Sequence, residues 1–242
     1  MKRLRIFAGP NGSGKTTLFD VLPKKWIGIY INPDEIEQTI KLNNGCFDFD
    51  KAGIILNKKS FLLHLEENRD FFYIGHNDII FDDDNPKKIC FKCSINSYLA
   101  SVLASYIRKE LIAQGKNFSF ETVMSSKDKI YFLKKAQENG FKTYLYFIAT
   151  DDPDINIHRV ENRVSNGGHN VPKEKIVSRY YRTLDNLIDA IKYSDRAFLF
   201  DNSSEKRTFI CEIENAQKIT MKTDEIPNWF NKYLLQKLKI EE

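Results

Sequence analysis

Short apolar runs alternate with amphipathic stretches along most of this chain. Five runs read as buried parallel strands: 3–8 (RLRIFA), 28–31 (GIYI), 118–121 (FSFE), 142–149 (KTYLYFIA) and 197–201 (AFLFD). Helical periodicity lies between them. Residues 34–42 predict one helix. Over 95–115, Tyr98, Leu99, Val102, Leu103, Tyr106, Ile107 and Leu111 share an apolar face that ends at Gly115, and 127–139 predict a third helix ending at Gly140. This alternation predicts an α/β fold, a doubly wound parallel sheet of about five strands flanked by helices. Ligands of such sheets bind at the carboxyl ends of the strands, so residues just after each run are the ones to inspect.

Two regions depart from the pattern. Residues 43–94 are rich in aromatic and charged residues without a clear period, and read as an insertion between the second and third strands of a single domain spanning 1–242. Near the end, 207–213 and 216–221 predict a hairpin, followed by a helix from Pro227 to about Leu238.

The first strand runs into Gly9–Thr17, GPNGSGKTT, which matches G-x-x-x-x-G-K-[ST]. Its glycines let backbone N–H groups curl around a phosphate chain, its lysine reaches the outer phosphates, and its hydroxyl can ligate Mg²⁺. Gly9, Asn11, Gly12, Ser13, Gly14, Lys15, Thr16 and Thr17 are the candidate nucleotide-binding residues, with Thr16 on the metal side. An amphipathic helix carrying Leu18, Phe19, Val21 and Leu22 should begin near Gly14 and point its positive end at the same anion. A plain glycine-rich turn leaves the Lys-Thr pair at the helix start unexplained.

Composition narrows the picture only slightly. The 242 residues suffice for a sizeable core, and a hydrophobic content of 42% with mean hydropathy −0.45 suits a soluble protein. A net charge of +4, with the charges interspersed, fits an anionic substrate without demanding nucleic acid. No run is long enough to span a membrane, and the apolar core of MKRLRIFAGPNG is too short for a signal peptide. A cytoplasmic protein is expected. Its four cysteines, Cys46, Cys90, Cys93 and Cys211, are then expected to be reduced. Cys90 and Cys93 form a lone C-x-x-C. Cys46 or His76 could join it around a metal, but nothing in the sequence argues for that.

Two carboxylates follow predicted strands. Asn32-Pro33-Asp34-Glu35 reads as a helix start, with Asn32 as N-cap, Pro33 at the first helical position and a resemblance to a capping box through Glu35. Asp34 could equally take a proton from an attacking hydroxyl. Glu121-Thr122 ends the third strand. Glu121 could hold a substrate or a metal-bound water, or it could serve a turn. Ile79-Ile80-Phe81-Asp82 imitates a metal-binding strand, but it runs into the acidic loop Asp83-Asp84-Asn85-Pro86 and is discounted.

Past the fourth strand, Arg159 and Arg163 stand four apart on one helix face, where like charges repel unless an anion is shared. Gly167-Gly168 then gives a flexible turn, His169 reads as a loop residue, and Pro172 opens a helix with Arg179 and Arg182. Two basic helix faces joined at a Gly-Gly turn look like a kinase lid, whose arginines stabilise charge on a transferring phosphoryl group. A solvated basic surface is the alternative. After the fifth strand, Asp201-Asn202-Ser203 suits an Asx turn or a nucleotide-base contact.

AGPNGSGKTTL at 8–18, INPDEI at 31–36, FSFETVMSS at 118–126, RVENRVSNGGHNVP at 159–172, SRYYRTLDNL at 178–187 and FDNS at 200–203 together resemble the zeta toxin family of P-loop kinases. The GGH lid with RYYRTLDNL is more specific than the phosphate loop. The resemblance implies a kinase fold, with ATP or GTP as phosphoryl donor and Mg²⁺ as metal. It also implies a small-molecule hydroxyl acceptor, UDP-N-acetylglucosamine in the best-known toxins. Asp34 then matches the base, Lys15 the phosphate-binding lysine, Thr16 the Mg²⁺-side hydroxyl, and Glu121 with Thr122 the acceptor site. Arg159 or Arg163 matches a lid arginine, and Arg179 is the candidate for a second. Val123 stands where related chains often carry threonine, and the residues do not reveal an antitoxin partner. Two other readings are a nucleotide-gated binding protein without phosphotransfer and a nucleic-acid end kinase; the modest charge counts against the latter.

Overall fold

Lys2–Ala8 forms the first strand, β1, and five of its seven residues are buried. The computed structural model describes residues 1–68, 75, 78–82, 84–168 and 170–238; His76, Asp83 and His169 lie outside the described residues. The chain divides into two compact units, Met1–Ile27 with Ser119–Glu242, and Gly28–Phe118.

The first unit carries β1, β6 (Phe118–Thr122, from Ser119 on), β7 (Phe141–Ala149), β8 (Arg196–Asp201), β9 (Thr208–Glu214) and β10 (Lys218–Met221). Their order in the sheet is β10-β9-β8-β7-β1-β6. β1 and β7 pair in parallel, with Phe7 opposite Tyr146, and β7 pairs in parallel with β8. β9 and β10 run antiparallel and extend the same sheet beyond β8, so the predicted hairpin is part of the sheet. Leu4, Ile6, Phe7, Leu145, Phe147 and Leu199 are fully buried, which explains the near-continuous apolar runs of these strands.

The helices of this unit are α5 (Asp128–Glu138), α6 (Pro153–Ser165), α7 (Lys173–Asp185) and α8 (Leu187–Lys192). The C-terminal helix runs as α9 (Asn228–Phe230), a π-helical segment at Asn231–Leu235 and α10 (Gln236–Leu238), close to the predicted span. The helix after the phosphate loop departs from expectation. Lys15–Val21 is a 3-10 helix, followed by the short α1 (Lys24–Ile27). Pro23 accounts for the break: Leu22 before it is extended (φ −115°, ψ 139°), as a residue preceding proline tends to be.

In the second unit lie β2 (Ile29–Ile31), α2 (Pro33–Leu42), α3 (Lys58–Glu67) and α4 (Ser97–Ala113). The segment without clear period holds α3 and a small antiparallel sheet of β3 (Cys46–Asp48), β5 (Lys88–Phe91) and β4 (Ile79–Phe81), in that order. Strands of three or four residues are too short to show a period. Phe49, Phe61 and Tyr106 pack edge to face with ring centroids 5.0–5.8 Å apart. Asp82 accepts from the backbone N–H of Asn85 at 3.0 Å and pairs with Lys88 at 3.2 Å, a structural turn.

The expectation that the cysteines are reduced is corrected. Cys46 and Cys90 face each other across β3 and β5 and form a disulfide, while Cys93 and Cys211 are free thiols. Among the described residues no group of three or more His, Cys, Asp or Glu side chains could hold a metal ion, and no helix is long and apolar enough to cross a membrane.

Candidate active site

The loop between β1 and the 3-10 helix is shaped by three glycines with positive φ: Gly9 (155°), Gly12 (74°) and Gly14 (94°). A methyl group at these positions would lie 2.0 Å from the Ile148 carbonyl oxygen, 2.5 Å from that of Asn156 and 2.6 Å from Asn202 Nδ2, respectively. The backbone therefore turns with neighbours against it, and only glycine fits.

Two asparagines fix the outer surface of the loop. Asn156 on α6 donates to the Asn11 carbonyl at 2.5 Å, and Asn202 after β8 donates to the Ser13 carbonyl at 2.9 Å. The Thr150 hydroxyl orients Asn156 from the end of β7. Arg159 donates to the carbonyls of Asn202 at 2.8 Å and Ser204 at 3.4 Å. Asp201 accepts from the Ser203 backbone N–H at 2.9 Å, which is the predicted Asx turn, and from Trp229 Nε1 at 2.8 Å. Sequence reasoning missed Asn156, and it read Asp201-Asn202-Ser203 as an Asx turn or a nucleotide-base contact without the bond from Asn202 to the loop.

Lys15 Nζ donates to the carbonyls of Gly9 and Pro10, both at 2.9 Å. Burial pushes its ammonium down to about 8; the Glu121 carboxylate opposes that shift and the Arg163 guanidinium adds to it. Those electrostatic couplings join three of the predicted residues around one cation. Gly9 N–H donates to the Thr122 carbonyl at 3.3 Å, tying the loop to the end of β6. The Thr122 hydroxyl accepts from Met124 N–H at 3.0 Å.

Among the described residues three buried polar atoms in this region lack a hydrogen-bond partner: Asn11 Oδ1, Ser13 Oγ and Glu121 Oε1. A buried unpaired polar atom is costly and usually marks a ligand or water site. A hydroxyl donor and an ammonium suit phosphate oxygens, and a carboxylate oxygen suits a hydroxyl or a metal-bound water. The donor set thus fits a nucleotide phosphate chain. Thr16 is exposed, and Thr17 spends its hydroxyl on the Gly14 carbonyl at 2.8 Å while accepting from Arg207 Nη1 at 3.0 Å.

The two lid helices, α6 and α7, pack through Ile157, Val160 and Ile176. Gly168 N–H closes α6 on the Arg163 carbonyl at 2.9 Å. The structure separates the two arginines of the α6 face: Arg159 holds the 202–204 turn, whereas Arg163 is exposed and acts electrostatically on Lys15. Arg179 is half-buried on α7, where its carbonyl accepts from Thr183 at 2.6 Å. Asp34 lies in the second unit. It is exposed in the first turn of α2, and its N–H donates to Asn32 Oδ1 at 2.9 Å, so the predicted N-cap is present.

The family model for zeta toxin matches residues 96–209. A protein of Haemophilus influenzae, described as uncharacterized, is 35% identical over 69 residues, covering 28% of this chain and 49% of that protein. A crystal structure of AvrRxo1-ORF1 with ORF2 and ATP shares the fold at TM-score 0.54 and 14% identity, over 98% of this chain and 63% of the other. A second, of the same pair with sulphate ions, aligns at TM-score 0.52 and 14% identity, over 93% and 62%. The chain thus spans about half of its curated relative and a little under two thirds of these structural neighbours. The family match begins well after the phosphate loop and covers β6, both lid helices and β8, the elements that surround Lys15 with Glu121 and Arg163. Over residues 96–209, a little under half of its length, this chain is similar to the zeta toxin family.

Proposed function

We propose that the protein is a small-molecule kinase that binds ATP, or GTP, with Mg²⁺ and transfers a phosphoryl group to a hydroxyl acceptor. The observation that carries this reading is Lys15, half-buried, held by two loop carbonyls at 2.9 Å and electrostatically coupled to Glu121 and Arg163. A loop that only bound nucleotide would not require a carboxylate and a lid arginine acting on the same lysine. The determination of a protein of this fold with ATP supports the donor.

Nucleotide with Mg²⁺, when bound, supplies the activated phosphoryl group. Lys15 and the N–H groups of Gly12, Gly14, Lys15 and Thr16 would hold the outer phosphates, and the Thr16 hydroxyl would hold the metal; Ser13 and Thr17 N–H already donate to loop carbonyls. Arg163 stabilises negative charge that develops during transfer, with Arg179 as a second candidate. Arg159 serves as a brace for the loop after β8. Glu121 and Thr122 hold the acceptor, and Asp34 takes its hydroxyl proton. UDP-N-acetylglucosamine is the acceptor that the resemblance to the zeta toxin family suggests first, and an antitoxin is the protein partner it suggests. The test is incubation with γ-labelled ATP, first with UDP-N-acetylglucosamine and then with a metabolite extract, followed by mass analysis. A labelled small molecule that requires Lys15 supports the reading. Full nucleotide occupancy without any labelled product refutes it.

A further inference from the structure

One face of the first unit's sheet is lined by aromatic rings and guanidinium groups. Phe7, Tyr146 and Phe198 stack in succession across three strands, with centroids 5.2 and 4.8 Å apart and planes within 21° and 13° of parallel. Phe200 stacks on Phe209 at 4.8 Å. Each pair is set by strand register, since Phe7 faces Tyr146, Tyr146 faces Phe198 and Phe200 faces Phe209. The 3-10 helix and α1, interrupted at Pro23, leave part of this face uncovered. A cavity of about 420 Å³ remains, lined by Leu22, Trp26, Tyr146, Phe198, Phe200, Phe209 and one charged residue, Arg207.

Among the described residues no carboxylate lines this cavity; the Arg196 guanidinium over the Phe198 ring is neutralised by Glu212, which leaves Arg207 as the cation in the wall. Arg207 bonds Thr17 through Nη1 and lies over the Phe200 ring at 5.8 Å. Arg5 is 5% exposed and sits over the rings of Trp26 and Tyr144 at 5.9 and 5.0 Å, and its Nε has no hydrogen-bond partner. Aromatic edges favour a flat ring in edge-to-face contact, and a lining guanidinium with no carboxylate among the described lining residues favours an anion.

We propose that this cavity is a second binding site, separate from the phosphate loop, for a small planar aromatic molecule bearing an anionic group. The ring packs edge to face against the edges of Tyr146 and Phe198, whose faces are already taken by their neighbours, and Arg207 takes the anion with the guanidinium edge that Thr17 does not use. Trp26 is 46% exposed on the cavity wall and reports on occupancy.

The test uses 2-naphthoate and its neutral analogue 2-naphthylmethanol as probes on the full chain, by calorimetry and by quenching of Trp26 fluorescence, with and without ATP. Saturable one-to-one binding of naphthoate, at least tenfold tighter than the alcohol and preserved under saturating ATP, is expected. Arg207→Gln should lose at least tenfold for naphthoate and little for the alcohol. Should that variant not fold, Leu22→Phe, which fills the cavity from the opposite wall, should weaken both probes. Non-saturating heats, equal affinity for the two probes, or full displacement by ATP would overturn the proposal. Displacement in particular would make the cavity part of the donor site.

Discussion

Asn202 Nδ2 donates to the Ser13 carbonyl at 2.9 Å and joins residues 189 positions apart. Through this bond the turn after β8 sets the curvature of the phosphate loop, and Arg159 in turn holds the Asn202 carbonyl. Asn202→Ala should leave the Ser13 carbonyl without its partner, at a cost of about 1–3 kcal/mol. We expect ATP affinity to fall about tenfold, consistent with that range, with the melting temperature lowered in parallel. Unchanged affinity in calorimetry would show that the loop holds its shape without the asparagine.

The glycines of the loop should not be equivalent to glycines elsewhere. At Gly9 a methyl group meets the Ile148 backbone oxygen at 2.0 Å, which cannot move without displacing β7. Gly140 also has positive φ (76°), but open space surrounds it. Gly140→Ala should cost about 1–2 kcal/mol from backbone strain alone and leave nucleotide binding intact. Gly9→Ala should abolish binding of a fluorescent ATP analogue. Equal binding by both variants would remove the steric account.

The disulfide predicts a redox-dependent stability of the second unit. Cys46 and Cys90 close a loop with a sequence separation of 44, for which chain entropy gives about 4 kcal/mol. Dithiothreitol should shift the urea unfolding of this unit to lower concentration, and Cys46→Ser should reproduce the shift and become insensitive to the reductant. The same midpoint in wild type with and without reductant would argue that the bond contributes nothing.

Lys15 and Asp34 should separate binding from chemistry. Lys15→Ala removes a cation from the phosphate site and should weaken nucleotide binding strongly as well as abolish transfer. Asp34→Ala should abolish transfer, by a factor of about 10² or more for loss of a general base, and leave nucleotide binding within a few fold. Turnover that survives in Asp34→Ala would remove the base assignment.

Much of the first unit was legible in the sequence because its physics is local. The strand runs are long enough to show burial, and the glycine pattern encodes a backbone that only glycine can adopt. The roles of Asn156 and Asn202 were not legible, because an asparagine that bonds a distant carbonyl looks like one that caps a turn. The α6 arginines shared a face in the sequence, yet the 202–204 turn claims Arg159 and leaves Arg163 to act on Lys15. The break after Val21 followed from Pro23, a local signal outweighed in the reading by the apolar period. The disulfide depended on the register of two strands too short to predict.

Lys15 also makes the protein's pH response specific. Burial lowers its pKa from 10.5 to about 8 in the folded protein. Between those values the unfolded chain binds more protons than the folded one, so stability contributed by this group rises with pH across that window. Nucleotide affinity should move the opposite way. Above about 8 the folded amine loses the charge that holds phosphate, and affinity should weaken as pH goes from 7 to 9.5. Bound phosphate opposes deprotonation, so the decline should be displaced upward from the value of the free site. Lys15→Arg keeps a charge throughout and should show neither the stability rise nor the affinity decline. Calorimetric titration of ATP at intervals across this range, paired with urea unfolding of the free protein, measures both slopes. Parallel rather than opposite trends in the wild type would locate the titration in some other group.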